Sequence, residues 1–187
     1  MVKTLVTGGL GFIGSNLVDA LLAAGHDVVI IDNEATGHNH NSNAKVTTVI
    51  GDITVADDMA KLPKDVDYVV HLGAAISVAE SMTNPEKYEK NNVEGSRAVL
   101  DWCVANNVKK IVSASTAAYY GNPEVLPCVE TMDYAGISPY AETKYKVWLA
   151  SPRHVPFWYS KVHDALTHPP APRWRSCTPS TTARTAS

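Results

Sequence analysis

The feature that most constrains the fold is a glycine-spaced turn between an apolar run and a helical pattern near the start of the chain. Residues 2–7 form a short, β-branched apolar run, which is typical of a buried strand. This run leads into Thr7-Gly-Gly-Leu-Gly-Phe-Ile-Gly14, and from Phe12 to Ala24 apolar residues recur at helical spacing. A second apolar run at 28–31 stops at Asp32. The pattern predicts a strand, a tight turn, a helix and a second strand.

The same alternation continues along the chain and predicts an α/β fold. Further strands are expected at 46–50, 66–72 and 108–113, with a short helix at 55–62 and a long helix at 85–107. Neighbouring parallel strands need crossover connections, and the intervening helices can supply them. We therefore expect a doubly wound, Rossmann-like parallel sheet of strand order 3-2-1-4-5, within one domain at residues 1–150.

The glycines of the first turn each have a mechanical reason for their position. Gly8 permits the tight turn off the strand, Gly11 lets a pyrophosphate approach bare backbone, and Gly14 lets the helix pack closely. Phe12 and Ile13 lie at the helix N-terminus, where free N–H groups and the helix dipole favour an anion. The turn is therefore predicted to bind the diphosphate of a dinucleotide.

The acid at the end of the second strand indicates which dinucleotide is bound. Asp32 lies 18 residues beyond Gly14, where its carboxylate can accept both hydroxyls of an adenosine ribose. A phosphate on that ribose would meet like charge, and no arginine lies between residues 32 and 44 to offset it. These residues predict NAD rather than NADP.

Two later loops are also placed for contact with the cofactor. Asp52 and Ile53 follow the third strand, where Asp52 either meets the adenine edge or caps the following helix, two alternatives of equal weight. Leu72 and Ala74 belong to a stretch of small residues at the end of the fourth strand. A cofactor that crosses the sheet would lie against them.

A tyrosine and a lysine four positions apart form a candidate catalytic pair. A helix that begins near Pro139 places Tyr140 and Lys144 on one face. A phenol ordinarily titrates near ~10, so a nearby cation is needed to favour the phenolate at neutral pH. The spacing alone is common on helix surfaces. Its position after the fifth strand, near the carboxyl end of the sheet, is what favours a site.

These segments resemble the extended branch of the short-chain dehydrogenase/reductase superfamily, the NAD-dependent epimerases and dehydratases, and are most similar to its UDP-glucose 4-epimerase-like members. The shared segments follow the family's order from residue 2 to about 148. They are TGGLGFIG, Asp32, GDI at 51–53, HLGAA at 71–75, NNVEG around Asn92, SASTAAYYG at 113–121 and YAETK at 140–144.

The resemblance implies roles for individual residues. Thr116 would hydrogen-bond the reacting sugar oxygen, and Tyr140 would act as the base. Lys144 would bind the nicotinamide ribose and tune the tyrosine, and Asn92 would steady the helix and sheet around the cofactor. The implied activity is NAD-dependent epimerisation of a nucleotide sugar, UDP-linked in the members it most resembles, by transient oxidation of a sugar hydroxyl and return of the hydride.

Two further expectations follow from the resemblance. Related dehydratases carry acids directly after the threonine, whereas Ala117 and Ala118 stand here, which favours epimerisation over elimination of water. The family also suggests a homodimer formed through the helices at 85–107 and 138–150.

Composition argues against several other classes of function. The net charge of −3 gives no basic field for nucleic acid, and no run of 18 apolar residues could span a membrane. The N-terminal apolar stretch is too short for a secretory signal, so we expect a cytoplasmic protein.

His38 and His40 lie in a polar loop and are expected to be solvated rather than to bind a metal, and His71 is expected to be a hydrogen-bonded core residue. The three cysteines have no metal-site spacing and are expected to be reduced.

Residues 151–187 differ in composition from the rest of the chain. All 11 glycines precede residue 151, six of the 11 prolines follow it, and no periodicity is sustained there. We expect an irregular or disordered tail. It is either a true extension or an out-of-frame translation of a longer gene, and the abrupt change favours the second. Because the family's sugar-binding half is not recognisable, the alternative function is a non-catalytic NAD-binding module or an incomplete pseudoenzyme.

Overall fold

A single parallel sheet organises the computed structural model, which describes residues 1–38, 41–129 and 131–149 together with the backbone of Phe157–Tyr159. The strands of this described part are Lys3–Thr7 (β1), Asp27–Asp32 (β2), Thr47–Ile50 (β3), Tyr68–His71 (β4), Lys110–Ser113 (β5) and Phe157–Tyr159 (β6). Their order is β3-β2-β1-β4-β5-β6, with every neighbouring pair parallel. The predicted doubly wound sheet is confirmed, and β6 extends it by a strand that the sequence pattern does not predict.

Helices and helical turns connect the strands. They are Phe12–Ala23 (α1), Ala56–Met59 (α2), Val78–Thr83 (α3), Pro85–Tyr88 (α4), a π-helical turn at Glu89–Glu94, Gly95–Ala105 (α5), a 3₁₀ turn at Ala117–Tyr120 and Pro139–Leu149 (α6). The long helix predicted at 85–107 is thus three consecutive helical segments with a π turn in the middle, and α3 was not predicted. The short helix predicted at 55–62 is limited to α2.

The two faces of the sheet bury separate hydrophobic clusters, because successive residues of a strand point to opposite sides. On one side α1 covers Val6 of β1 and Ile30 of β2. On the other side, Leu5 of β1 packs with Val99 and Leu100 of α5. Helices on both faces account for the continuous apolar character of the inner strands.

The register places the carboxyl ends of the central strands side by side. Thr7 of β1 pairs with His71 of β4, and His71 pairs with Ser113 of β5. The loops after β1, β4 and β5 therefore meet at one edge of the sheet. This is the edge at which folds of this kind bind ligands.

Some expectations lie outside the described residues. Apart from β6, the tail predicted at 151–187 is among them, as is His40. Among the helices that the structure describes, none has the length and apolar character needed to cross a bilayer.

Candidate cofactor and active site

The glycine turn after β1 lies at the carboxyl edge of the sheet, and its glycines leave main-chain atoms there uncovered by side chains. Gly8 has a φ of +70°, and a Cβ there would lie 2.8 Å from the backbone nitrogen of Gly73. A Cβ on Gly14 would lie 2.1 Å from the Gly8 carbonyl oxygen, so α1 packs directly on the turn. At Gly11 a Cβ would approach only that same carbonyl, at 3.4 Å, which leaves this side of the turn open. The turn therefore has the close packing and the open approach that a diphosphate site requires.

The N-terminus of α1 lies against this open side. Its N-cap residue is Gly11, so no side chain caps the helix, and the first helical bond is from the Ser15 N–H to the Gly11 carbonyl at 2.9 Å. The side chains of Phe12 and Ile13 are 85% and 66% exposed. Uncapped N–H groups at the positive end of the helix dipole suit a diphosphate, so the observed residues fit a dinucleotide.

Asp32 is held at the end of β2 by backbone N–H groups on both of its carboxylate oxygens. Oδ2 accepts from the Leu10 N–H at 3.0 Å, and Oδ1 accepts from the Glu34 N–H at 2.8 Å. A carboxylate oxygen can accept more than one hydrogen bond, so ribose hydroxyls can still be accommodated. The two backbone bonds fix the direction of the carboxylate. They also tie it to the glycine turn, through Leu10.

Asp52 and Ile53 occupy the turn after β3. The Asp52 Oδ1 atom accepts from the N–H and the hydroxyl of Thr54, both at 2.8 Å, and Oδ2 accepts from the Asn33 amide at 2.9 Å. Burial raises the pKa of the Asp52 carboxyl, but these hydrogen bonds outweigh burial and hold the pKa below its usual range. The side chain of Ile53 is buried in the core, so only its main chain is available to a cofactor.

The loop after β4 is fastened to α6 by a buried asparagine. The Asn92 Oδ1 atom accepts from the Ala75 N–H at 2.8 Å, and its amide nitrogen donates to the Ala75 carbonyl at 3.0 Å and to the Thr143 hydroxyl at 3.1 Å. Both amide hydrogens are therefore used inside the protein, in keeping with a supporting role. Leu72 and Ala74, which precede Ala75, are partly buried in the same loop.

The candidate catalytic residues are at the carboxyl end of β5. Tyr140 and Lys144 lie one turn apart on α6, and each is 8% exposed. The Lys144 ammonium donates to the Ala114 carbonyl at 3.3 Å, directly after β5. Burial lowers the pKa of Lys144 to about 8. Thr116 lies two residues beyond Ala114, and its Oγ1 atom accepts from the Ala118 N–H at 3.1 Å, so its own proton points elsewhere.

A second tyrosine supports the candidate base and was not identified from the sequence as part of the site. The ring of Tyr88 is fully buried and meets the ring of Tyr140 edge to face, with 6.3 Å between centroids. Its hydroxyl donates to Glu80 at 3.0 Å. Burial and the Glu80 carboxylate raise the pKa of Tyr88. Tyr88 therefore acts as an apolar wall rather than as an acid or base.

An aromatic cluster fixes the segment that precedes α6. Tyr119 contacts Tyr134 and Tyr145 with centroid distances of 5.2 and 5.9 Å, and the rings of Tyr134 and Tyr145 stack at 4.3 Å. These contacts join the 3₁₀ turn next to Thr116 to the helix that carries the candidate catalytic pair. The sequence offered no signal for them beyond the tyrosines themselves, because the partners are far apart in the chain.

The remaining titratable residues have other environments. The prediction that His71 is a hydrogen-bonded core residue is confirmed, since it is 4% exposed and both ring nitrogens are bonded. His38 is exposed. Among the residues that the structure describes, there is no cluster of three or more potential metal ligands. Cys103 is buried, which raises the pKa of its thiol to about 12, and Cys128 is exposed.

Curated proteins resemble about three quarters of this chain. A UDP-glucose 4-epimerase from Streptomyces lividans is 39% identical over 148 residues, which cover 78% of this chain and 45% of that protein. A putative UDP-glucose 4-epimerase from Methanocaldococcus jannaschii is 42% identical over 143 residues, which cover 75% and 47%. The chain thus spans about half the length of these relatives.

Solved structures agree with this similarity. A UDP-glucose 4-epimerase from Thermotoga maritima in complex with UDP-glucose superposes with a TM-score of 0.76 at 36% identity, covering 79% of this chain and 49% of that one. The UDP-glucose 4-epimerase of Thermus thermophilus in complex with NAD gives a TM-score of 0.75 at 34% identity, with the same coverage. The family of NAD dependent epimerases and dehydratases matches residues 4–149, the same stretch that carries the glycine turn, Asp32 and the tyrosine–lysine pair. This chain therefore belongs to the NAD dependent epimerase/dehydratase family.

Proposed function

We propose that this chain binds NAD along the carboxyl edge of its sheet and carries the cofactor half and the catalytic residues of a nucleotide-sugar 4-epimerase. Family membership supports the cofactor. The substrate class is supported by relatives that are UDP-glucose 4-epimerases and by a similar structure that contains UDP-glucose. The observation that carries the proposal is the burial of Tyr140 and Lys144 together at the carboxyl end of β5, next to Thr116.

The residues that would hold NAD come from three loops and one helix. The backbone at 11–14 would bind the diphosphate, and the oriented carboxylate of Asp32 would accept the adenosine ribose hydroxyls. Leu72 and Ala74 would line the crossing of the sheet, and Lys144 would bind the nicotinamide ribose. The cofactor supplies a hydride acceptor that can later return the hydride to the sugar carbon.

Tyr140 would act on the sugar hydroxyl as a general base and then as a general acid. Its phenolate takes the proton from the 4-hydroxyl oxygen while the hydrogen on the same carbon is removed as hydride, which leaves a ketone. The ketone then rotates within the site so that its other face is presented. The same phenol returns its proton to the oxygen as the hydride is returned to that face of the carbon. Thr116 would hydrogen-bond that oxygen throughout. The cation of Lys144 would favour the phenolate form of Tyr140.

The residues after Thr116 favour epimerisation over elimination. Ala117 and Ala118 follow it, and neither can remove or deliver a second proton. A reaction that expels water needs such a group, whereas oxidation and reduction at one carbon need only the tyrosine. This agrees with the relatives, which are 4-epimerases.

Replacement of the base tests the assignment. Tyr140→Phe should abolish interconversion of UDP-glucose and UDP-galactose while NAD binding, measured by calorimetry, stays intact. Tyr145→Phe is the matched control, since it removes a phenol from the same helix and keeps the stacked ring. Undiminished turnover in Tyr140→Phe would exclude the proposed role. Binding of NAD without binding of a UDP-sugar by the parent chain would support the alternative of a non-catalytic NAD-binding module.

We further propose a homodimer formed through the helical stretch at 85–105 and through α6, and a cytoplasmic location. Lys146 of α6 pairs with Glu89 of that helical stretch, so the two elements lie side by side and can contribute to one surface. The molar mass of the protein in solution, with and without NAD, tests the dimer.

A further inference from the structure

His71 is a buried, titratable residue that the proposed mechanism does not use. It ends β4 and is 4% exposed. Its Nδ1 atom lies 2.7 Å from the Thr7 hydroxyl and its Nε2 atom lies 2.8 Å from the Ser96 hydroxyl. Thr7 directly precedes the glycine turn, and Ser96 is the second residue of α5. The ring therefore lies between the turn predicted to hold the diphosphate and a helix on the far side of β4.

The direction of these hydrogen bonds follows from the partners of Thr7. A threonine hydroxyl has one proton and two lone pairs. The Gly73 N–H donates to Oγ1 of Thr7 at 3.0 Å, and the Leu72 N–H is shared between that oxygen, at 3.2 Å, and the Thr7 backbone carbonyl, at 3.1 Å. Both contacts use Oγ1 as an acceptor, so its proton is left for Nδ1 of His71, which lies 2.7 Å away. With Nδ1 as an acceptor, the ring carries its proton on Nε2 and donates it to Ser96.

The charge state of the ring agrees with this direction. A cationic imidazole has a proton on both nitrogens, and one of them would point at the proton of Thr7. Burial, together with a smaller contribution from the Lys144 cation, lowers the pKa of His71 to about 3. The ring is therefore neutral in the physiological range.

The bonds to Thr7 join two loops that would contact the cofactor. A Cβ on Gly73 would lie 3.2 Å from the Thr7 hydroxyl, and a Cβ on Gly8 would lie 2.8 Å from the Gly73 nitrogen, so the two backbones are in direct contact here. The Thr7 hydroxyl oxygen can accept the hydrogen bond from the Gly73 N–H only while its own proton points away from the loop. Nδ1 of His71 is the acceptor that holds the proton in that direction.

We propose that His71, as its neutral Nε2–H tautomer, is a positioning residue that orients the Thr7 hydroxyl and so fixes the loop at 72–75 against the glycine turn. The consequence for cofactor affinity rests on the proposed function, because it assumes that NAD lies on these two loops. The tautomer and the attachment of the loop do not depend on that assumption.

The tautomer is measurable without any ligand. Nitrogen-15 NMR of the imidazole at pH 7 should show an unprotonated Nδ1 and a protonated Nε2 for His71. An Nδ1-protonated or a cationic ring would overturn the proposal, because Nδ1 would then compete with the Gly73 N–H for the Thr7 hydroxyl oxygen.

The attachment of the loop is tested by three variants. His71→Phe keeps a ring and removes the acceptor, whereas His71→Asn retains an oxygen near the position of Nδ1. Thr4→Val is the matched control, since Thr4 is buried on the same strand and its hydroxyl bonds Nδ1 of His26 at 2.9 Å, at the opposite end of β1. The Gly73 amide should exchange about tenfold faster in His71→Phe and little faster in the other two variants, whereas the Leu72 amide, which also donates to the Thr7 carbonyl, should change less.

NAD affinity gives the functional readout. Calorimetry should show about tenfold weaker NAD binding for His71→Phe, with His71→Asn and Thr4→Val within about threefold of the parent. Unchanged amide exchange in His71→Phe, or an equal loss in Thr4→Val, would overturn the proposal. A parent chain that shows the expected tautomer and exchange but binds no NAD would refute the proposed function and leave the positioning role of His71 supported.

Discussion

Removal of the buried charge of Lys144 should make the NAD-free protein more stable at neutral pH, although it removes a residue of the proposed active site. Burial lowers the pKa of this ammonium from 10.5 to about 8. At any pH where the side chain is charged in both the folded and the unfolded chain, this difference in pKa lowers the free energy of unfolding by about 3 kcal/mol. Lys144→Met recovers this cost but also removes the hydrogen bond to the Ala114 carbonyl, worth about 1 kcal/mol. We expect a net gain of about 2 kcal/mol at pH 7.

The pH dependence of the gain identifies its cause. The unfolded chain binds a proton on this lysine up to a higher pH than the folded chain, so the stability of the parent rises between pH 8 and pH 10.5 as the folded side chain loses its proton. Lys144→Met has no such titration. Lys144→Met should therefore exceed the parent in free energy of unfolding by the full amount of about 2 kcal/mol below pH 8, and this difference should be lost by pH 10.

Urea denaturation of the NAD-free parent and variant at pH 7 and pH 10 measures both free energies of unfolding. Lys146→Met is the control, since Lys146 lies two residues away on α6, has a side chain that is 40% exposed and pairs with Glu89 and Glu142. These carboxylates raise the pKa of Lys146, so its removal should have a small effect that is equal at both pH values. If Lys144→Met is less stable than the parent at pH 7, or if it is still more stable at pH 10, the buried charge of Lys144 is not what lowers the stability of the parent.

Other predictions concern the glycine turn and the cysteines. Gly11→Ala should keep the free energy of unfolding within about 1 kcal/mol of the parent but lose NAD binding, because its Cβ would occupy the open side of the turn. Gly14→Ala should lose about 3 kcal/mol, because its Cβ would lie 2.1 Å from a backbone oxygen of Gly8. Denaturation and calorimetry check both, and equal behaviour of the two variants would contradict the geometry. Peptide mapping after alkylation of the native protein should show Cys128 modified and Cys103 protected, and rapid labelling of Cys103 would contradict its burial.

The strands were predictable because buried parallel strands are short, apolar and followed by glycines or acids. β1, β2, β4 and β5 each fall within or next to the predicted runs, and the observed order is the doubly wound one that the alternation of strands and helices led us to expect. The prediction of the carboxyl edge as the ligand edge depended on that order alone. It brought the candidate residues of β1, β4, β5 and α6 to one edge without any knowledge of side-chain contacts.

Helix α3 and the π turn show where periodicity is insufficient. Val78 and Met82 of α3 are exposed, so the helix has no apolar stripe to detect. A local signal was nevertheless present, because Ser77 accepts from the Glu80 N–H as an N-cap, with the Ser-x-x-Glu spacing of a capping box. Residues 89–94 mix good helix formers with two asparagines and a valine of lower helix propensity, and no residue among them separates a π turn from an α-helix.

Long-range polar contacts could not be predicted. The sequence placed His71 in the core, but its partners Thr7 and Ser96 are 64 and 25 residues away. Likewise, the sequence predicted that Asp32 contacts the ribose, but it could not show the hydrogen bond from the Leu10 N–H to this carboxylate, which depends on the three-dimensional path of the turn. Motifs indicate which residues meet a ligand, whereas the residues that orient them become visible only in the folded structure.

Binding of NAD at the carboxyl edge of the sheet is best tested by titrating the purified, folded chain with the dinucleotide. Calorimetry should show saturable binding of NAD and weaker binding of NADP, because the additional phosphate of NADP would meet the carboxylate of Asp32. If the folded protein binds neither dinucleotide, this edge of the sheet is not a cofactor site.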